Sequence, residues 1–165
     1  MLPDIALRAA IASDVPVILH LIRGLAEYER LLHRATATEA ELHDALFRDQ
    51  PRIHVLLADV GGVSVGLALF YYTFSTFTAR TNIFLEDLFV ETVHRGCGVG
   101  FALMRGLAQR AVAENCGRIE WRVLNWNQPS IDFYQRLGAN RVDAWQTRQL
   151  SGDALVSLAK GALHG

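Results

Sequence analysis

Arg95-Gly96-Cys97-Gly98-Val99-Gly100 follows a hydrophobic run, Leu85 to Val90, that carries two adjacent acids, Glu86 and Asp87. Glycines between a strand and a helix permit positive φ and let a ligand come close to the backbone. The first amides of a helix have no intrahelical partner, and the helix dipole favours an anion there. Strand, glycine turn and helix start together therefore make a candidate phosphate cradle. Arg95 adds a positive charge beside it. The plainer alternative is a tight turn in which glycine serves geometry alone.

Two other chemistries compete for this stretch. A dinucleotide site needs GxGxxG directly after the first strand. Here the spacing is GxGxG, Phe101 stands where the third glycine belongs, and Glu91 to Arg95 intervene before Gly96. Glu120 lies about 20 residues beyond the glycines, as that site would want, but inside a strand rather than at its end. Cys97 in the turn could act as a nucleophile. His94 is near, yet no base is placed against Cys97 by spacing, and a turn filler is the simpler reading.

A phosphate loop of the GK[ST] type is excluded, because Lys160 is the only lysine among 16 basic residues. Cys97 and Cys116 form no CxxC or Cys/His cluster, and His20, His33, His43, His54 and His164 show no ligand spacing, so no metal is expected. Trp121, Trp126 and Trp145 read as core and interface bulk rather than a base-stacking platform.

The elements that must position these residues are legible from period and punctuation. Ile5–Ala9 reads as a strand. Ser13 or Asp14 caps a helix with Pro16 in its first turn and Val15, Ile18, Leu19, Ile22, Leu25 and Ala26 on one face. Thr38 and Glu41 form a capping box for a second helix to about Arg48. His54–Val60 and Val63–Tyr72 make a hairpin on Gly61-Gly62. A polar loop spans Thr73 to Thr81, and Asn82–Val90 is the next strand. The helix after the glycines runs from about Gly100 to Glu114, with Leu103, Met104, Leu107, Ala108, Ala111 and Val112 buried. Arg118–Leu124 is a strand, and Asn127–Leu137 a short helix with Gly138 after it. Arg141–Leu150 is a last strand, followed by a helix from Ser151 or Asp153. Early hairpins imply antiparallel pairing and the later strand–helix–strand unit parallel pairing, giving a mixed α/β sheet with helices on its faces.

The chain has 165 residues, 51% hydrophobic and 20% charged, with a formal net charge of −1. That fits one domain over residues 1–165 with a substantial core. The charge gives no case for nucleic acid or an acidic membrane as partner. The opening MLPDIALRAAIASDV is neither signal peptide nor membrane span, and a cytoplasmic protein with free thiols is the expectation.

One further set of residues makes the reading specific. "LAEYE" at 25–29, "LEDLFV" at 85–90, "RGCGVG" at 95–100 and "NWNQPSIDFYQRLGA" at 125–139 together resemble the GNAT N-acetyltransferases, closest to the spermidine/spermine (diamine) acetyltransferase branch and its bacterial relatives. The resemblance runs over nearly the whole chain. It implies a mixed, mostly antiparallel central sheet with splayed middle strands and helices on both faces. It also implies acetyl-CoA as cosubstrate and a homodimer.

By the same resemblance, backbone groups of Leu88, Phe89 and Val90 would pair with pantetheine as an added strand does. Arg95 and the amides of Gly96, Cys97, Gly98, Val99, Gly100 and Phe101 would take the pyrophosphate, and Asn127 and Ser130 would touch CoA. Read alone, Asn127 and Ser130 are good cap residues, and both roles can hold together. Tyr134 falls four residues after Ser130, on the same helix face. Read alone, Phe133 and Tyr134 are core aromatics. The resemblance makes Tyr134 a CoA contact and the general acid for the departing thiolate. Glu86 matches the position of a base acting through water, because the amine must arrive neutral. Asp87 points to the opposite face if the strand is regular, unless a bulge re-aims one of the two.

The acceptor side departs from the polyamine pattern. "STFTART" at 75–81 has no acid and contains Arg80, and Glu27 replaces a basic residue. Tyr28 and Glu29 match the pair that lines the acceptor site; Glu86, Glu120, Trp121, Arg122 and Gln146 border it. The leading expectation is transfer of acetyl to a primary amine of a small polyamine-, diamine- or amino-acid-like molecule, by direct attack in a ternary complex. A non-enzymatic acyl-CoA sensor, a protein N-acetyltransferase and a nucleotide-binding oxidoreductase are the alternatives.

Overall fold

The computed structural model describes residues 4–161, so His164 lies outside the described residues. The chain divides into two compact units, one up to Arg122 and one from Val123.

The first unit is a five-stranded sheet in the order β1-β2-β3-β4-β5. Strand β1 (Ile5–Ala9) pairs antiparallel with β2 (His54–Val60), β2 with β3 (Val63–Ser75), and β3 with β4 (Arg80–Val90). Strand β5 (Ile119–Trp121) runs parallel to β4. Gly61 and Gly62, at φ 59° and 81°, supply the two left-handed residues that a tight hairpin demands. Helix α1 (Val15–Tyr28) follows β1, then α2 (Glu39–Phe47). Helix α3 (Val99–Ala113) connects β4 to β5.

The helices cover both faces. Ile18 and Leu21 of α1 are fully buried against Leu57, Leu67, Leu69 and Phe89. Gly24 of α1 lies so close to Phe89 that an added Cβ would fall 2.8 Å from its ring. On the other face, Gly106 of α3 approaches Leu7 and Leu56 equally tightly. Thr38 and Glu41 cap α2 reciprocally, as a capping box requires. Asp14 does not cap α1 with its side chain. Its carboxylate accepts from Arg8 Nη1 and Nη2 at 2.6 and 2.9 Å and from the Ile11 amide.

Several expected boundaries shift. Thr73–Ser75 and Arg80–Thr81 belong to β3 and β4, because cross-strand pairing continues to Ser75 and Arg80 before the chain turns. Ala108 and Val112 of α3 are exposed rather than buried. The buried residues of α3 are Val99, Leu103, Met104, Leu107 and Ala111. Strand β5 is three residues long instead of seven, and it pairs only with Ile83 to Leu85. Beyond that point β4 continues without β5, which is the expected splay.

The second unit holds α4 (Gln128–Arg136) and α5 (Gly152–Ala159). Gly138, at φ 84°, follows α4 in the left-handed conformation that ends many helices. The strand expected at Arg141–Leu150 does not form: the segment is irregular and exposed throughout. Its alternation of apolar and polar residues finds no neighbouring strand among the described residues, and pairing rather than pattern makes a strand.

Candidate active site

The site begins at a bulge. Asp87 pairs with Leu69 of β3, but Phe70 pairs with Leu85, so Glu86 is the extra residue on β4. An extra residue re-aims the side chains on either side of it. Asp87 and Phe89 therefore share the α1 face with Leu69 and Leu67, while Leu85 turns to the α3 face beside Phe70. Tyr71, two residues after Leu69, also belongs to the α1 face, and its hydroxyl donates to Glu86 Oε2 at 3.3 Å. The strand is not regular here, and the bulge alternative holds: Glu86 and Asp87 lie on the same face.

Their surroundings are acidic with one basic border. Burial, then the Glu86 and Glu29 charges, pushes the Asp87 carboxyl from 3.8 up to about 6. Glu29, just past the end of α1, is also raised, by burial. Arg122, the residue after β5, places Nη2 at 3.5 Å from both Glu86 oxygens and lies over the Phe84 ring. Phe84 stacks in turn on Tyr71, with ring centroids 5.2 Å apart. Glu120 pairs with Arg118 at 3.0 Å and adjoins Phe84 across the sheet; Trp121 is half-buried.

The other end of β4 leads to the glycine turn. From Glu86 to Val90 the strand pairs only with β3 among the described residues. Alternate residues of an antiparallel strand turn their N–H and C=O groups away from the partner, so part of this stretch, which includes Leu88, Phe89 and Val90, offers an open edge. Gly96 and Gly98 adopt φ 75° and 91°, which side-chain-bearing residues rarely tolerate. No side chain caps α3 at Gly98. The amides at Val99, Gly100 and Phe101 begin this 15-residue helix. The Cys97 thiol lies 3.6 Å from the Arg95 carbonyl. Arg95 itself donates from Nε to the Val90 carbonyl at 2.8 Å, with its guanidinium over the rings of Tyr28 and Phe89. These groups suit a pantetheine-pyrophosphate: an amide-bearing chain for the edge and an anion for the turn.

In the second unit, Asn127 is buried and caps α4, its Oδ1 accepting from the Ser130 amide at 3.4 Å. Tyr134 sits one turn beyond Ser130, half-buried, its ring tilted against Phe133 at 5.4 Å. Gln146 is exposed and accepts from Arg148.

Sequence reasoning missed Asp87 as the acid with the displaced pKa, and the Tyr71–Phe84 platform under Arg122. Period-two alternation marks Tyr71 as facing one side, but only the bulge brings both acids to that side.

An open strand edge, a glycine turn at a helix start and acids on the same strand make a site suited to a phosphate-bearing ligand beside a cationic group. The comparisons give the protein its family. The sequence model of the Acetyltransferase (GNAT) family matches residues 21–139. Thialysine N-epsilon-acetyltransferase of Sus scrofa is 34% identical over 94% of this chain and 98% of its own. L-ornithine N5-acetyltransferase NATA1 of Arabidopsis thaliana is 29% identical over 93% of this chain and 87% of its own. The structure of an integron cassette protein from V. cholerae superposes with TM-score 0.80 at 25% identity, over 94% of this chain and 98% of that one. The chain belongs to the GNAT family and is an N-acetyltransferase. No helix among the described residues is long and apolar enough to cross a membrane.

Proposed function

We propose that the protein transfers the acetyl group of acetyl-CoA to a primary amine of a small polyamine-, diamine- or amino-acid-like molecule by direct attack, with residues 1–165 acting as a single domain. One observation carries this. Strand β4 bears carboxylates at its bulge and, beyond it, an open backbone edge that runs into the glycine turn. Amine and thioester can therefore be presented along one strand.

Leu88 to Val90 hold the pantetheine through their backbone, and the turn from Arg95 to Phe101 holds the pyrophosphate. Asn127, Ser130 and Tyr134 add CoA contacts on the strength of the resemblance. Tyr28, Glu29, Glu120, Trp121, Arg122 and Gln146 border the acceptor. Glu86, through water, takes the proton that the amine must lose, and Asp87 and Glu29 favour a cation approaching that place. The amine nitrogen bonds to the thioester carbon as the carbon–sulfur bond breaks. The thiolate then takes the proton of the Tyr134 phenol. The names of the similar proteins, which include a thialysine and an ornithine acetyltransferase, support a small amine as acceptor. The resemblance also supports a homodimer, and the expectation from the cysteines and the opening residues is a cytoplasmic one.

The test is free-thiol release from acetyl-CoA over a panel of amines, with wild type, Tyr134→Phe and Glu86→Gln. Release with at least one small amine, lowered on the order of a hundredfold or more in Tyr134→Phe, is expected for a general acid. Binding of acetyl-CoA without release for any amine would favour the sensor reading. No binding at all, by calorimetry, would sink both.

A further inference from the structure

Arg122 stands out among the residues near the acids. Its guanidinium touches both Glu86 oxygens only at 3.5 Å, and the two side chains are 62% and 41% exposed. A pair so long and so wet contributes little to stability. Only Nη2 is engaged in these contacts, so the remaining N–H donors present a planar fork. The fork is not loosely placed. Phe84 lies under it, Tyr71 stacks on Phe84, and the Tyr71 hydroxyl binds Glu86. A chain of two rings thus fixes a cation against an acid on the face that also carries Asp87.

This arrangement discriminates among amines. A simple diamine or polyamine carries only positive charges, and Arg122 repels one of them. An amine that also bears a carboxylate meets acids for its ammonium groups and a guanidinium fork for its carboxylate. Arginine binds carboxylates through two parallel hydrogen bonds, stronger and more directional than its present contacts to Glu86. Engagement of a carboxylate by Arg122 would also release Glu86 from its partner.

We propose that Arg122 is a specificity-determining residue that selects amino acids over simple diamines and polyamines as acetyl acceptors. This rests on the reading of the site as a small-amine acetyltransferase.

The test uses pairs of acceptors that differ only by the carboxylate: L-lysine with cadaverine, and L-ornithine with putrescine. Steady-state kcat/KM is measured with acetyl-CoA for wild type, Arg122→Gln and Arg122→Lys. Wild type is expected to favour the amino acid in each pair. Arg122→Gln should lower that ratio by about tenfold or more, the size of a lost charge-assisted bond, with the amino acid losing and the diamine gaining. Arg122→Lys, which keeps the charge without the fork, should fall between. Lysine methyl ester, which lacks the carboxylate charge, should behave as cadaverine does. A wild-type preference for the diamines, or a ratio unchanged in Arg122→Gln, overturns the proposal while leaving amine acetylation in place. If none of the four is acetylated, titration calorimetry of lysine and cadaverine separates the two ideas. Lysine binding that is lost in Arg122→Gln upholds the recognition and refutes the transfer, and equal or absent binding refutes the recognition.

Discussion

Glu86 and Asp87 are neighbours in sequence and still share one face of the sheet, because Glu86 is the extra residue of a bulge opposite Leu69 and Phe70. Adjacent strand residues ordinarily face opposite ways. The bulge sets two carboxylates together, and the half-buried one is held at about 6. At neutral pH Asp87 is ionised, and it gains its proton close to the physiological range. The log of kcat/KM for an amine should therefore show an acid limb near pH 6. That limb should be absent in Asp87→Asn. A pH profile of both proteins with a good acceptor decides it; an identical acid limb in the variant would remove Asp87 from the chemistry.

The same displaced proton has a consequence for folding. Asp87 sits at about 6 in the folded chain against an ordinary 3.8. Well below its ordinary 3.8 the carboxyl is protonated in both states and costs nothing. As pH rises towards 6 the unfolded chain ionises first, so the folded state loses stability, by up to ~3 kcal/mol for two units. Asp87→Asn should therefore raise Tm at pH 7.5 and raise it much less at pH 4. Thermal melts at the two values test the sign directly. Stabilisation at neutral pH together with lost activity is the pattern of a strained functional acid.

Much of this architecture is legible because local chemistry decides it. Thr38 and Glu41 satisfy each other's backbone, and the Gly61-Gly62 pair is read as a turn because glycine alone takes positive φ at both positions without cost, so both features could be placed from a few residues. The glycine turn is similar: Gly96 and Gly98 are glycines because their φ values are positive. The bulge at Glu86 is not legible, since it depends on the register between β3 and β4 rather than on any residue type. The face of Asp87, its pKa and its relation to Tyr71 all follow from that register. Arg141–Leu150 shows the opposite failure: the pattern of a strand is present, but no described strand pairs with it. Tyr134 and Asn127 could be singled out only by resemblance, because an aromatic and a cap residue on a helix are otherwise ordinary.

Arg8 holds the start of α1 to the sheet. Its Nε donates to Asp59 at 2.7 Å, and its two other nitrogens clamp Asp14, which is itself buried. The hydrogen bonds from Arg8 keep Asp14 below its ordinary 3.8. Arg8→Gln would leave a buried carboxylate without its cation, at a cost of about 2 kcal/mol, less than for a fully buried pair because Arg8 is partly exposed. The benefit of a depressed carboxyl is present above its unfolded value and vanishes as pH falls through the folded one. Urea denaturation should show the difference between wild type and variant at pH 7 and a much smaller one at pH 3. A gap that stays constant with pH would assign the loss to packing rather than to the ion pair.

Gly66 connects the packing of the sheet to the glycine turn proposed to hold the pyrophosphate. It lies on β3 opposite Val90, and a Cβ there would stand 3.0 Å from the Phe89 carbonyl and 3.3 Å from side-chain carbons of Val90 and Val99. The carbonyl belongs to β4, whose edge is proposed to pair with pantetheine, and Val99 is the first residue of α3. None of these can rotate out of the way as a long side chain could. Gly66→Ala should therefore cost about 1–3 kcal/mol, as overpacking does, and displace the end of β4 relative to α3. Acetyl-CoA affinity, measured by calorimetry well below the variant's Tm, should fall by more than the amine KM changes. An unaltered affinity in a destabilised variant would mean that the strain is absorbed within the core and never reaches the glycine turn.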